Sequence, residues 1–288
     1  MFQKEWEVLI VDDDPDVLAV SRLALRGVKV WGVPLKLHTC ASMAEAMALC
    51  NTKSDFLPSL AVALVDVVME TDSAGLDFCR YVREERKNAL TQLFIRTGQP
   101  GIAPERTVID RYDINGYFTK AEATEDKLYS MIKSGVRQYY WSAFVLGMIP
   151  MVRHVAAQIG SRPAIANAIQ QHYDAAFQDR SGAQVESYDN IRIASIFDDE
   201  VAALVGWDKA SALAMRDRLK ELPAVPFGVD GDEYVLDDEH RLLIKVAARP
   251  NVAEAYLVAT QTFRVPEFVP EVTYNGLAAL AAIWRFSK

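Results

Sequence analysis

The sequence is poor in the residues that small covalent or metal-held scaffolds depend on. It has three cysteines in 288 residues, Cys40, Cys50 and Cys79. They are odd in number, show no metal or redox spacing and lie in apolar text, so they read as buried free thiols of a reducing compartment. Apolar runs of membrane-spanning length are missing. The most apolar window, Tyr139 to Val152, covers 14 residues and includes Gly147 and Pro150, against about 20 needed to cross a bilayer. The opening Met1-Phe2-Gln3-Lys4-Glu5 leads into a strand and not into a leader. A cytoplasmic protein with no membrane contact is expected. A basic excess is also missing. Residues 1–150 carry 17 Lys and Arg against 20 Asp and Glu, and residues 151–288 carry 14 against 19. Neither half has the bulk charge of a nucleic-acid binder, although a local basic face stays open.

What is present is a set of apolar runs that end in acids. Leu60-Ala61-Val62-Ala63-Leu64-Val65 runs into Asp66, between Pro58-Ser59 and the turn text Thr71 to Gly75. This reads as a buried strand of a parallel sheet. Val8-Leu9-Ile10-Val11 likewise runs into Asp12-Asp13-Asp14. Pro15 opens a helix to about Arg26, with Asp14 as its cap. Gly27 to Pro34 connects to a strand over 35–40, and Ser42 with Glu45 forms a capping box for a helix to Cys50. A helix over 76–86, a strand over 93–96, a break at Thr97-Gly98-Gln99-Pro100-Gly101, a helix over 104–112 and a strand over 116–119 ending at Lys120 complete the alternation. Five strands alternating with helices predict a doubly wound five-stranded parallel α/β sheet, order 2-1-3-4-5. Its switch point brings Asp12, Asp13 and Asp66 together, with Thr97 and Lys120 at neighbouring strand ends. Three carboxylates in one pocket repel, and a hard divalent cation suits them.

In these residues the chain resembles the receiver domain of two-component response regulators, over about residues 5–135. The resemblance rests on Val8 to Pro15, on Val65-Asp66-Val67-Val68-Met69, on Thr97 and on Gly116-Tyr117-Phe118-Thr119-Lys120. It implies that Asp66 is the phospho-acceptor. It further implies that Asp13, Asp66 and the Val68 carbonyl bind Mg²⁺ with Asp12 acting through water, that Lys120 pairs with the phosphoryl oxygens, and that Thr97 and Tyr117 form the switch. A sensor histidine kinase or phosphotransfer protein is the implied partner. Carboxylate chemistry agrees: an acid can take a phosphoryl group where cations neutralise the incoming charge.

Two departures stand out. Ala121 follows Lys120 where such domains usually have Pro in a cis peptide, and the segment from Asp66 to Gly75 is about a residue longer. The text Asp66 to Asp72 and Arg96 to Gly101 is closest to receivers found upstream of HD-GYP phosphodiesterase outputs. The four histidines, His38, His154, His172 and His240, include no His-Asp pair, so no output enzyme is expected. Plainer readings exist beside these: Asp66 as a helix cap, Lys120 as a surface lysine, Thr97 and Tyr117 as ordinary strand formers.

Thr124 to about Gly147 reads as one long helix that Pro150 ends or kinks. Its Tyr139-Tyr140-Trp141 and Phe144-Val145-Leu146 are apolar nearly all round, which suits contact with the second half, a homodimer interface or a signalling helix. The expected division is a receiver over 1–123, a linker helix over 124–150 and an output domain over 151–288, a smaller, mostly helical α+β unit. In that unit Val155 to Gly160 resembles Val201 to Gly206, each followed by Ala-rich helical text. This suggests tandem helix-turn-helix units that would contact DNA through Lys209, Arg216, Arg218 and Lys220, with a winged hairpin over 233–246. The acidity of that wing speaks against DNA. The rival is a mixed α+β module, loosely GAF- or PAS-like. The functional expectation is a phosphorylation-switched response regulator acting by dimerisation or protein contact. The alternatives are a DNA-binding regulator and a degenerate receiver serving as a scaffold.

Overall fold

The computed structural model describes residues 5–52, 56–98, 105–177, 192–226, 228–229, 231–239, 241–260 and 268–288. The expected break at Gln99-Pro100-Gly101 and the position of His240 lie outside the described residues. The chain forms two compact units, one up to Phe144 and one from Val145 onward.

The first unit is a mostly parallel sheet wrapped by helices. Its elements are β1 (Trp6–Val11), α1 (Pro15–Ala24), β2 (Lys29–Val30), β3 (Val33–Cys40), α2 (Met43–Thr52), α3 (Phe56–Ser59), β4 (Leu60–Asp66), α4 (Ala74–Arg80), β5 (Gln92–Thr97), α5 (Glu105–Tyr112), β6 (Gly116–Thr119) and the start of α6 (Glu125–Ala156). The sheet order is β2-β3-β1-β4-β5-β6. The five parallel strands follow the expected 2-1-3-4-5 order, and β2 adds a short antiparallel edge. That edge was not foreseen. It arises in the connector, where Trp31 (φ 55°) and Gly32 (φ 83°) make a two-residue turn. Two positive φ values suit the right-handed twist of a hairpin. Trp31 is bulky for that region, and its ring packs edge-on to Trp6 and Tyr140, with centroids at 6.1 and 5.4 Å.

All seven residues of β4 are buried, as expected of a strand covered on both faces. Asp14 caps α1 by accepting from the Asp16 and Val17 N–H groups. α4 runs on into a π-turn over Tyr81–Glu85. α6 meets the sheet at Gly135, where a Cβ would stand 2.8 Å from Val62 and 2.9 Å from Phe94. The helix therefore lies closer to β4 and β5 than any side chain would permit. α6 continues through Pro150, so of the two expected effects the proline does not end the helix. Among the described residues no helix is long and apolar enough to cross a membrane.

The second unit holds α7 (Arg162–Phe177), β7 (Arg192–Phe197), β8 (Glu200–Val205), α8 (Lys209–Lys220), β9 (Val225–Pro226), β10 (Glu233–Leu236), β11 (Arg241–Val246), β12 (Ala255–Thr260) and α9 (Phe268–Arg285). Its antiparallel sheet has the order β8-β7-β12-β11-β10-β9. Ile196, Tyr256 and Val258 pack with Leu219 and Leu213 of α8. Phe197, the next residue on β7, stacks on Trp284 of α9 at 5.1 Å. Successive strand residues point to opposite faces, so α8 and α9 cover different faces of the sheet. On the edge strand β8, the Gln170 amide makes two bonds to Leu204, donating to its carbonyl and accepting from its N–H, each at 3.0 Å.

This arrangement corrects the helix-turn-helix expectation. Residues 201–205 form a strand, because Asp198 (φ 46°) and Asp199 (φ 65°) make a hairpin turn that pairs Phe197 with Glu200. The matching Val155 to Gly160 text is instead the end of α6 and the turn after it. The two copies share an exit glycine with positive φ, Gly160 at 105° and Gly206 at 72°, and each is followed by a helix, α7 or α8, as expected. The hairpin of β10 and β11 forms as expected, but β9 and β12 flank it, so it is no free wing. The architecture is that of the rival, a mixed α+β module.

Candidate functional site

The acids stand where the sheet places them. Asp12 extends β1 by one residue, and its N–H donates to the Cys40 carbonyl at 3.1 Å. Asp66 is the last residue of β4, and its Oδ1 accepts from its neighbour's Val67 N–H at 2.8 Å. Asp12 and Asp66 are buried, whereas Asp13 is exposed. Carboxylate oxygens of Asp12, Asp13 and Asp66 lie within 4.8 Å of one another, the single such acid, His or Cys group of three or more among the described residues. This oxygen-only set, open to solvent on the Asp13 side, fits a hard divalent cation.

Lys120 bridges two of the acids. Its Nζ lies 3.0 Å from Asp12 Oδ1 and 2.6 Å from Asp66 Oδ2. Burial alone would lower the lysine pKa, but the hydrogen bonds to Asp66 and Asp12 outweigh it and raise the value. Burial raises the Asp66 pKa, with the Asp12 charge adding to it and Lys120 opposing. Lys120 begins a short 3₁₀ turn, Lys120–Glu122. There the Glu122 carboxylate accepts from the Thr119 N–H at 2.7 Å and from its hydroxyl at 2.8 Å. This capping box sets the exit from β6 in a chain with Ala121 after the lysine.

The longer segment after Asp66 is tied down as well. Glu70 accepts from the Ala44 N–H at the start of α2, and the Gly75 N–H donates to the Val67 carbonyl at 3.1 Å. A Cβ at Gly75 would stand 1.8 Å from the Asp66 carbonyl oxygen. Glycine is thus required for α4 to start against the site. Val68 lies half-buried on this segment. Thr97 ends β5 fully buried, and Tyr117 sits opposite Ile95 on β6, half-buried against the same core cluster as Val68 and Met69.

One residue was missed. Arg96 is buried on β5, with Nη2 3.1 Å from Asp12 Oδ2 and Nη1 2.8 Å from Ser21 Oγ. The available signal was a charge directly after the apolar run Leu93-Phe94-Ile95 and before Thr97, since buried arginines are rarely unpaired.

The four cations named for DNA do not form one face. Arg216 is buried, ion-paired to Asp199 and Asp217, with its guanidinium carbon 5.4 Å from the Tyr256 ring centroid. The Lys220 ammonium lies 5.0 Å from the same ring. Lys209 and Arg218 are exposed on α8.

No family model matches the chain. A curated relative, the 3'3'-cGAMP-specific phosphodiesterase 2 of Vibrio cholerae serotype O1, is 47% identical over 137 residues, which is 48% of this chain and 26% of that protein. The chain therefore matches about a quarter of that relative's length. Among solved structures, the signal receiver domain of an HD domain-containing protein from Pseudomonas fluorescens Pf-5 aligns with 49% of this chain and 94% of its own (TM-score 0.42, 15% identity). A response regulator receiver domain protein from Clostridium thermocellum aligns with 47% and 97% (TM-score 0.39, 18% identity).

The first half has a receiver-like α/β fold, with its parallel strands in the order expected of such a domain. The expectation of no enzymatic output does not stand, because a relative at this identity is a phosphodiesterase. That expectation rested on missing sequence motifs, and catalytic groups converge in space without standing together in sequence.

Proposed function

We propose that this chain is a response regulator switched by Mg²⁺-dependent phosphorylation of Asp66. The observation that supports it is the group of Asp12, Asp13 and Asp66 within 4.8 Å, with Lys120 bridging two of the three. An Asp66 oxygen attacks the phosphorus of a phosphohistidine, an Asp66–phosphorus bond forms, and the bond to the donor nitrogen breaks with its electron pair leaving on that nitrogen. Asp13, Asp66 and the Val68 carbonyl would hold Mg²⁺ with Asp12 behind, and the bound ion would supply positive charge for the phosphoryl oxygens. Lys120 turns from the Asp66 carboxylate to the new oxygens, and Thr97 donates to them. The phosphoryl group adds about −1.5 to −2 of charge. Thr97 and Tyr117 then carry the change to the β5–β6 side of the unit, where a partner or a second copy reads it.

Acetyl phosphate with Mg²⁺ tests this. The intact protein should gain one phosphoryl group by mass spectrometry, and Asp66→Asn should gain none. Equal labelling of both, or none under conditions that label an active receiver, sinks the reading and leaves a scaffold. The identity to a cyclic-dinucleotide phosphodiesterase favours a second reading of the output, in which the switch governs hydrolysis of such a nucleotide. Release of linear dinucleotide from 3'3'-cGAMP, with and without beryllofluoride, decides it.

A further inference from the structure

Arg96 is an unusual resident of this pocket. It lies 2% exposed on β5, a strand whose six residues are all buried. One guanidinium nitrogen bonds Asp12 Oδ2 at 3.1 Å and another bonds Ser21 Oγ at 2.8 Å. Ser21 itself donates to the Val17 carbonyl at 2.7 Å, which roots the contact in α1. The other Asp12 oxygen accepts from Lys120 at 3.0 Å and from the Asp14 N–H at 3.0 Å. Both Asp12 oxygens are thus engaged by protein donors. The Arg96 Nε is buried with no hydrogen-bond partner. A buried ion pair with an orphaned nitrogen contributes little to stability compared with a well-packed apolar side chain. Its position on a metal-site acid therefore calls for a reason other than folding.

We infer that Arg96 is a positioning residue that sets the divalent-cation affinity of the acidic site. The inference rests on the reading of Asp12, Asp13 and Asp66 as that site. Three carboxylates face two resident cations, Lys120 and Arg96, so the empty pocket carries a net charge near −1 where Lys120 alone would leave −2. A divalent cation has to compete with Arg96 for Asp12. The arginine fixes one Asp12 oxygen toward α1 and leaves the other, shared with Lys120, facing the site. Weak cation binding follows for the resting protein. Once a phosphoryl group arrives, the same fixed charge offsets part of the added negative charge, so cation and phosphoryl occupancy are coupled more strongly than in a pocket without it.

The test is a Mn²⁺ titration of the intact chain followed by electron paramagnetic resonance, with Mg²⁺ as competitor. Arg96→Met should bind Mn²⁺ about tenfold more tightly, the scale of one nearby charge in a partly hydrated pocket. Arg96→Lys should restore wild-type affinity. Arg96→Gln, which keeps a polar group in the strand, should shift in the same direction as methionine and serves where the methionine variant fails to fold. Equal or weaker binding by the neutral variants, with unchanged far-ultraviolet dichroism, overturns the inference and leaves the metal site standing. A lysine variant that behaves like methionine overturns it as well. No binding by wild type or any variant overturns both.

Discussion

Asp66→Asn should stabilise the metal-free protein and destabilise the metal-loaded one relative to wild type. The Asp66 pKa is raised because burial and the Asp12 charge outweigh Lys120. For an acid, a raised folded value means that ionisation works against folding. The penalty is fully present above the folded pKa and is relieved as pH falls through it. Neighbouring carboxylates within 4.8 Å repel by about 1 kcal/mol each even at the dielectric constant of water. Asparagine removes that repulsion and loses the contact to Lys120, which keeps its bond to Asp12 at 3.0 Å. A net gain of about 1 kcal/mol, or roughly 2–4 °C in the melting of a unit this size, is expected at neutral pH in EDTA. With Mg²⁺ at a hundredfold over its dissociation constant, wild type gains about 2.7 kcal/mol by mass action. Asp66→Asn, short of one charged ligand, gains less, so the order of melting temperatures reverses. Scanning calorimetry in EDTA and in Mg²⁺ reads both halves. A variant less stable than wild type in EDTA would show that the Lys120 pair dominates, and equal Mg²⁺ shifts would remove Asp66 from the metal site.

Three further outcomes follow from the packing. Gly75→Ala puts a Cβ 1.8 Å from the Asp66 carbonyl oxygen, so α4 or the acid loop has to move. A loss of about 1–3 kcal/mol in urea melts, together with weaker Mn²⁺ binding, is expected. Gly147→Ala, where nothing lies within 4 Å of the new Cβ inside α6, should instead stabilise by about 0.5–1 kcal/mol. In the second unit, buried Asp232 accepts from Tyr274 at 2.6 Å, from the Ala247 N–H at 2.7 Å and from Arg249 at 2.5 Å. Burial would raise its pKa, but these donors outweigh it and lower it. The stability it confers is present above the unfolded carboxyl pKa of about 3.9 and is lost as pH falls through the lower folded value. Asp232→Ala should cost about 3 kcal/mol at pH 7 and less once the pH falls below the lowered folded value, as measured by denaturant melts over a falling pH series.

The receiver half was legible because its signals are local and repeated. The parallel strands are short and mostly apolar, so the strand ends at which Asp12, Asp66, Thr97 and Lys120 stand could be counted off from the sequence. Arg96 escaped because it stands between the apolar run Leu93-Phe94-Ile95 and the strand-ending Thr97, and its partner Asp12 is 84 residues away. The second half was harder. Val201-Ala202-Ala203-Leu204-Val205 fits a helix or a strand equally well by periodicity. The deciding feature is two aspartates with positive φ, Asp198 and Asp199, which hydropathy periodicity does not register. Pro150 was given its usual weight as a breaker, but α6 runs on through it to Ala156.

The margins of the second sheet limit how this unit can recruit others. At one end the Gln170 carboxamide occupies both backbone groups of Leu204, as a neighbouring peptide would. At the other end β9 is two residues long and finishes at Pro226, which has no N–H to offer. An extended segment from another protein therefore finds little ladder to join at either margin, and strand addition is a poor route to association.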